Sequence, residues 1–198
     1  MEKCYNPNHP QKGTNIKVEP IKDIKDIKAI KKMLADNPRD SALFTIGINT
    51  NLRASDLLNL KTKQVLKLKP MDEIELREQK TGKKRRISLN AACTCAINKL
   101  LAETDFKNDD YLFKSQRGAV LTVPSVHRLV KGWCKAINLK GNYGSHTLRK
   151  TFGYHQRVTF GVGLPELMVC FNHSSQRQTL DYLCVQADEV RSIYGNEL

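Results

Sequence analysis

Several kinds of chemistry are missing from this chain of 198 residues. It has no G-x-x-x-x-G-K-[ST] phosphate loop, no G-x-G-x-x-G fingerprint and no G-x-S-x-G elbow, so neither a nucleotide cofactor nor a serine-hydrolase mechanism has a motif to rest on. Its six cysteines, at 4, 93, 95, 134, 170 and 184, show no C-x-x-C spacing and no histidine cluster beside them, which argues against a zinc site. They are expected to be reduced and buried as small hydrophobes. No apolar run approaches the roughly 20 residues of a spanning helix, and the N-terminus MEKCYNPNHPQKG lacks an apolar signal core, so a cytoplasmic protein without membrane insertion is expected. Acidic residues are scarce, 20 against 33 Lys and Arg. The resulting formal charge of +13 and pI near 9.5 favour a polyanionic partner, nucleic acid before an anionic membrane surface.

This length suits one packed domain with tails. Residues 1–20, with Pro7, Pro10, Gly13 and Pro20 among Asn, Lys and Gln, read as an extended leader. From Ile21, the apolar residues Ile24, Ile27, Ile30, Met33 and Leu34 predict an amphipathic helix with a lysine-rich outer face, stopped by Asn37-Pro38. A second helix, capped by Asp40 or Ser41, is apolar enough for a core position. It runs into Asn51-Leu52-Arg53-Ala54-Ser55-Asp56-Leu57-Leu58, where Asn51 can close the helix in the left-handed conformation. Arg53 then lies in a tight corner within reach of Asp56.

Between 62 and 90 the period changes. Val65, Leu66 and Leu68, then Ile74, Leu76 and Glu78, then Ile87 and Leu89 predict three short antiparallel strands. The second turn carries Lys80, Lys83, Lys84, Arg85 and Arg86, a cationic hairpin suited to phosphate contact. Helices are predicted from Asn90 to Glu103, from Val123-Pro124 through Trp133, a core residue, and from a cap at Ser145, with His146 and Arg149 on one face at i and i+3. Lys150 follows them. Pro165 opens a short helix that Asn172 closes before His173. Ser175 and Gln178 form a capping box for a last helix, which carries Tyr182 nine residues after His173. Residues 185–198 read as a charged tail that docks in cis or on a neighbouring subunit.

Taken together, Asn-Leu-Arg-x-Ser-Asp-Leu-Leu-x-Leu, Lys-Thr-Gly-Lys-Lys-Arg-Arg before a strand, His-Thr-Leu-Arg-Lys-Thr-Phe, and His-Ser-Ser with a tyrosine nine residues after the histidine closely resemble the catalytic domain of the tyrosine recombinases, or phage integrases. The resemblance covers roughly residues 21–190. It implies a mainly α fold with a small three-stranded antiparallel sheet (α+β), the fold of the DNA breaking-rejoining enzymes. Tyr182 is implied to attack a scissile DNA phosphate and become linked to its 3′ end, with Arg53 and Arg149 as clamp arginines, His146 and His173 beside them, and Lys80 as the strand-turn lysine. Asp56 supports Arg53, while Lys83, Lys84, Arg85, Arg86 and Lys150 are expected to contact DNA.

The chemistry of those residue types fits the roles. Two guanidiniums hold non-bridging phosphate oxygens and stay charged at any relevant pH. A lysine on a hairpin tip, Lys80 or its rival Lys83, can protonate the leaving 5′ oxygen. A phenol must lose its proton to attack, with His146 as base and His173 bonded to the phosphate. No metal and no cofactor is expected. The implied partner is double-stranded DNA, bound as a homotetramer by a protein monomeric when free, at the nucleoid. A type IB topoisomerase-like relaxing activity and a non-cleaving DNA-binding accessory role are the alternatives. Two departures stand out. Asn51 and Asn172 replace glycines usual in the family, at positions predicted to need positive φ. The family's N-terminal helical DNA-binding domain has no counterpart that a leader of some 20 residues can build, so either an excised catalytic domain or an unusually short protein is expected.

Overall fold

Helix α2 (Pro38–Asn49) is apolar all round rather than along one stripe, the pattern of a helix enclosed by others. In the computed structural model of the protein, which describes residues 17–183, 191 and 194–197, Ala42, Leu43, Phe44, Ile46 and Gly47 are all buried. Helices α5 (Ala91–Glu103) and α7 (Ser145–Val158) pack against α2, and α6 (Val123–Ala136) lies on α7. Trp133 of α6 meets Phe44 edge-to-face at 5.8 Å. Gly47 sets the α2–α7 distance, because a Cβ there would stand 2.6 Å from Leu148 Cδ1. This close approach brings the C-terminal end of α2 beside the first turns of α7, and the candidate site forms at that junction.

The amphipathic first helix is α1 (Ile24–Met33), with Ile27 and Ile30 buried and Asp23 as its cap. Ahead of it, the chain is docked from Lys17 onward: Glu19 N–H donates to Asn142 O at 2.8 Å, and Ile21 N–H donates to the Thr151 hydroxyl at 2.9 Å. Residues 1–16, most of the expected leader, lie outside the described residues, as do Cys4, Cys184 and most of the expected tail.

Several expectations are corrected. The sheet has two strands among the described residues, β1 (Glu73–Arg77) and β2 (Lys84–Ser88), antiparallel with Leu76 opposite Arg85. Residues 62–65 instead form a helical turn, α4 (Thr62–Val65), and Lys67 is left-handed at φ 56°. The backbone N–H groups of Thr62 and Lys63 donate to Asp110 O and Asn108 O, and the Gln64 side chain bonds Lys61 N–H and Glu75 O. With its polar groups so satisfied the segment has no need of a strand partner. Helix α2 is capped by Asn37, not Asp40 or Ser41: Pro38 occupies the first turn, where its missing N–H costs nothing, and Asn37 Oδ1 accepts from Asp40 N–H. Asn51 is not left-handed. Thr50 ends α2 in extended conformation, with its N–H and hydroxyl both donating to Ile46 O at 2.9 and 2.8 Å. Gly144 rather than Ser145 caps α7, where a Cβ would collide with the His127 ring. Cys93 and Cys134 are buried, but Cys95 and Cys170 are exposed.

A second, smaller apolar cluster completes the described fold. Leu167 and Phe171 of α8 (Leu164–Phe171) and Leu183 of α9 (Gln176–Leu183) pack together, with Phe152 and Tyr182 against them.

Candidate active site

Arg53 reaches the site because α2 stops abruptly. Leu52, 2 % exposed, anchors the extended corner, and Arg53 takes the cap position of α3 (Ala54–Leu58) with φ −69° and ψ 153°. Its guanidinium Nη1 lies 3.0 Å from Glu78 Oε2 and 3.7 Å from Asp56 Oδ2. These two carboxylates hold the buried Nη1 end of the guanidinium by ion pairing. Asp56 Oδ1 accepts Gln79 N–H at 2.8 Å, which ties α3 to the hairpin turn.

The hairpin does not present its five cations alike. Lys80 and Lys83 are exposed at the turn, where Gly82 adopts φ 67°. Lys84 and Arg86 project outward and share Glu75 at 3.3 and 3.4 Å. Strand alternation turns Arg85 inward. Its guanidinium bonds Glu78 Oε1 at 3.1 Å, Asn51 Oδ1 and Cys170 O.

Helix α7 supplies His146 and Arg149 from adjacent turns of one face. His146 is exposed, Lys150 is 8 % exposed, and Arg149 is only 1 % exposed. Arg149 donates to Asn51 O, and to Phe171 O at 3.0 Å, and its Nη2 stands 3.5 Å from His173 Nε2. Its charged plane lies 4.8 Å from the Phe171 ring centre and 5.2 Å from that of Tyr182. Asn51 therefore serves the site through its carbonyl and its amide side chain, not through a left-handed backbone.

Asn172 ends α8 in the left-handed conformation, φ 55° and ψ 44°, as expected for a residue replacing glycine. That reversal sends His173 back over Phe171, the rings stacked at 5.2 Å, and His173 Nδ1 bonds the buried Thr179 hydroxyl at 3.0 Å. Ser175 Oγ accepts Gln178 N–H at the start of α9. Two turns along α9, the Tyr182 ring lies 5.3 Å from His173, 5.5 Å from Phe171 and 6.4 Å from His146.

Thus Arg149, His146, His173 and Tyr182 share one cluster, with Arg53 at its border and Lys80 close enough to act on it electrostatically. Desolvation first, then Arg149, Lys150, Arg53 and Lys80, lowers the His146 pKa. Desolvation followed by Arg149 and Arg53 takes His173 down to about 4. Both imidazoles are neutral near pH 7 and can accept a proton. Arg149 falls to about 10, through desolvation and then Arg53, yet remains charged at neutral pH.

Sequence reasoning missed two participants. Glu78 is noted there only as a possible strand residue, and Arg85 only as one of the hairpin cations expected to contact DNA, not as an inward partner within the site. The signal was available: Glu78 continues the buried Ile74, Leu76 alternation of β1, and Arg85 continues that of Ile87 and Leu89. A charge in an inward register position calls for a buried partner.

Known proteins carry this arrangement of chain. The model of the "Phage integrase family" matches residues 21–189. The probable integrase/recombinase YoeC of Bacillus subtilis is 36% identical over 181 residues, covering 89% of this chain and 95% of that protein. Tyrosine recombinase XerC of Caldanaerobacter subterraneus subsp. tengcongensis is 32% identical over 170 residues, with 81% of this chain matched but only 47% of XerC. Among solved structures, XerA recombinase aligns with a TM-score of 0.73 at 20% identity, over 94% of this chain and 65% of that one. XerH bound to a palindromic difH substrate, a post-cleavage complex, aligns at 0.72 and 21% identity over 96% and 57%. At such identities these two show the fold. From the family match and the extent of identity to YoeC, this chain belongs to the phage integrase family, the tyrosine recombinases.

Proposed function

We propose that this chain cleaves and rejoins DNA strands as part of a site-specific recombinase acting in DNA integration or recombination. The observation that carries the reading is the Tyr182 ring over the Arg149 guanidinium, with neutral His146 and His173 rings 6.4 and 5.3 Å away. Arg53 and Arg149 bind the non-bridging oxygens of the scissile phosphate, where negative charge grows in the transition state. The Tyr182 oxygen attacks phosphorus as its proton passes to His146, and His173 hydrogen-bonds a phosphate oxygen. The bond to the 5′ oxygen breaks, and Lys80 donates the proton that oxygen requires. The product is a 3′-phosphotyrosine with a free 5′ hydroxyl. One phosphodiester has replaced another, so the 5′ hydroxyl of a second strand can reverse the step with no ATP or metal required by the balance.

Arg149, 1 % exposed under these rings, becomes reachable by phosphate only once Tyr182 swings aside. The partner is double-stranded DNA, with exchange between two duplexes requiring four protomers assembled on DNA from free monomers. Among the described residues no helix is long and apolar enough to cross a membrane, consistent with work on DNA in solution. Duplexes with a randomised centre and a nearby nick, whose cleavage releases a short fragment and prevents resealing, test the reading. Wild type is expected to become covalently joined to selected duplexes and Tyr182→Phe to none. Equal capture by both, or none by either, would overturn it.

A further inference from the structure

Glu78 is 1 % exposed and ionised, with a pKa of about 2: burial pulls it upward, but the Thr81 hydroxyl, Arg53 and Arg85 outweigh burial. A carboxylate in that position is retained only when each oxygen has partners. Oε2 accepts from the Thr81 hydroxyl at 2.7 Å, lies 3.0 Å from Arg53 Nη1, and is 3.5 Å from Asn172 Nδ2. Oε1 meets Arg85 Nη1 at 3.1 Å. The backbone of the same residue closes the Lys80 turn: Glu78 N–H donates to Lys83 O at 2.9 Å, and Gly82 N–H donates to Glu78 O at 2.8 Å. Three parts of the candidate site from separate stretches of chain therefore meet at one side chain. They are the Arg53 corner, the Lys80 turn and the left-handed cap that aims His173.

Resting on the strand-cleavage reading above, we infer that Glu78 is a positioning residue for that reaction, aiming Arg53 and the Lys80 turn together while Arg85 occupies its second oxygen. Arg85 is what lets Glu78 hold Arg53 without cancelling it. With Arg85 sharing the carboxylate, positive charge from Arg53 and Arg149 remains for an incoming phosphate. Replacing the carboxylate by an amide leaves Arg53 and Arg85 facing one another with no anion between them, and Arg53 keeps only the longer contact to Asp56 at 3.7 Å.

Glu78→Gln keeps the shape and removes the charge. On the nicked duplexes captured by wild type, its single-turnover cleavage rate at saturating protein is expected to fall about tenfold or more, short of the roughly 10²–10³ cost of deleting an oxyanion donor. Its DNA dissociation constant should stay within about threefold, because affinity is spread over many phosphate contacts. Glu78→Gln/Arg85→Gln should stay slow. Thr81→Val, an exposed-site change that removes the hydroxyl anchor, should slow cleavage by a smaller factor at a modest cost in thermal stability, and it serves if Glu78→Gln does not fold. Cleavage by Glu78→Gln at the wild-type rate, slowing only in proportion to lost DNA binding, or recovery in the double variant would overturn the inference; recovery would reduce Glu78 to a counter-ion for Arg85. With a misfolded Glu78→Gln, unslowed Thr81→Val would do the same. No capture by wild type would instead sink the strand-cleavage reading and this role with it.

Discussion

His173 should make the protein acid-sensitive in a way that one substitution removes. Its folded pKa of about 4 lies below the ordinary histidine value of about 6.5, so below neutrality the unfolded chain binds a proton that the folded chain refuses. The penalty is absent above about pH 6.5, grows as pH falls, and saturates below about pH 4. Between about pH 7.5 and about pH 5, linkage gives a loss of roughly 2 kcal/mol for this side chain, reduced to about 1 kcal/mol because it is partly open to solvent. Glu78, at about 2, titrates below this window and does not interfere. Urea unfolding of wild type and His173→Gln at the two pH values measures it, since glutamine can still bond Arg149 and Thr179. The variant should lose about 1 kcal/mol less than wild type on acidification, which corresponds to a difference of about 2–4 °C in melting temperature. Equal losses would refute the burial of a neutral His173 between Arg149 and Phe171.

Other consequences can be measured separately. Gly47→Ala should cost about 1–3 kcal/mol by denaturant unfolding, because its Cβ meets Leu148 Cδ1 at 2.6 Å and must push α7 from α2. Asn172→Gly should leave stability within about 1 kcal/mol, whereas Asn172→Val, β-branched at φ 55°, should lose roughly 1–2 kcal/mol and slow covalent capture by misaiming His173. Lys80→Met should cleave slowly on ordinary DNA and recover on DNA with sulfur at the bridging 5′ position, since a thiolate leaves without a proton. Lack of recovery would transfer the acid role to another group, Lys83 first.

The helices were legible where local signals and burial agree. The all-round apolar run of α2, the Val123-Pro124 start of α6 and the Asn172 cap each require one conformation for reasons contained within a few residues. Expectation failed where distant groups decide. The segment at 62–65 is helical because the 108–110 loop takes its N–H groups, and Asn51 is fixed by Arg85, Arg149 and Cys170 rather than by its own backbone. Family motifs brought forward Arg53, His146, Arg149, His173 and Tyr182, whose shared cluster rests on the close approach of α2 and α7. They were silent on Glu78 and brought forward Arg85 only as an expected DNA contact. That pair answers to a buried charge balance between a strand and a helix cap: strand alternation marks both as inward, and the assembled geometry supplies their partners.

The most direct measurement is the identity of the amino acid joined to DNA. After covalent capture, nuclease and protease digestion followed by mass spectrometry should find nucleotide mass on the peptide containing Tyr182, attached through a 3′ phosphate, with a free 5′ hydroxyl on the released strand. Nucleotide mass on any other residue, or a 5′-linked adduct on Tyr182, would contradict the account.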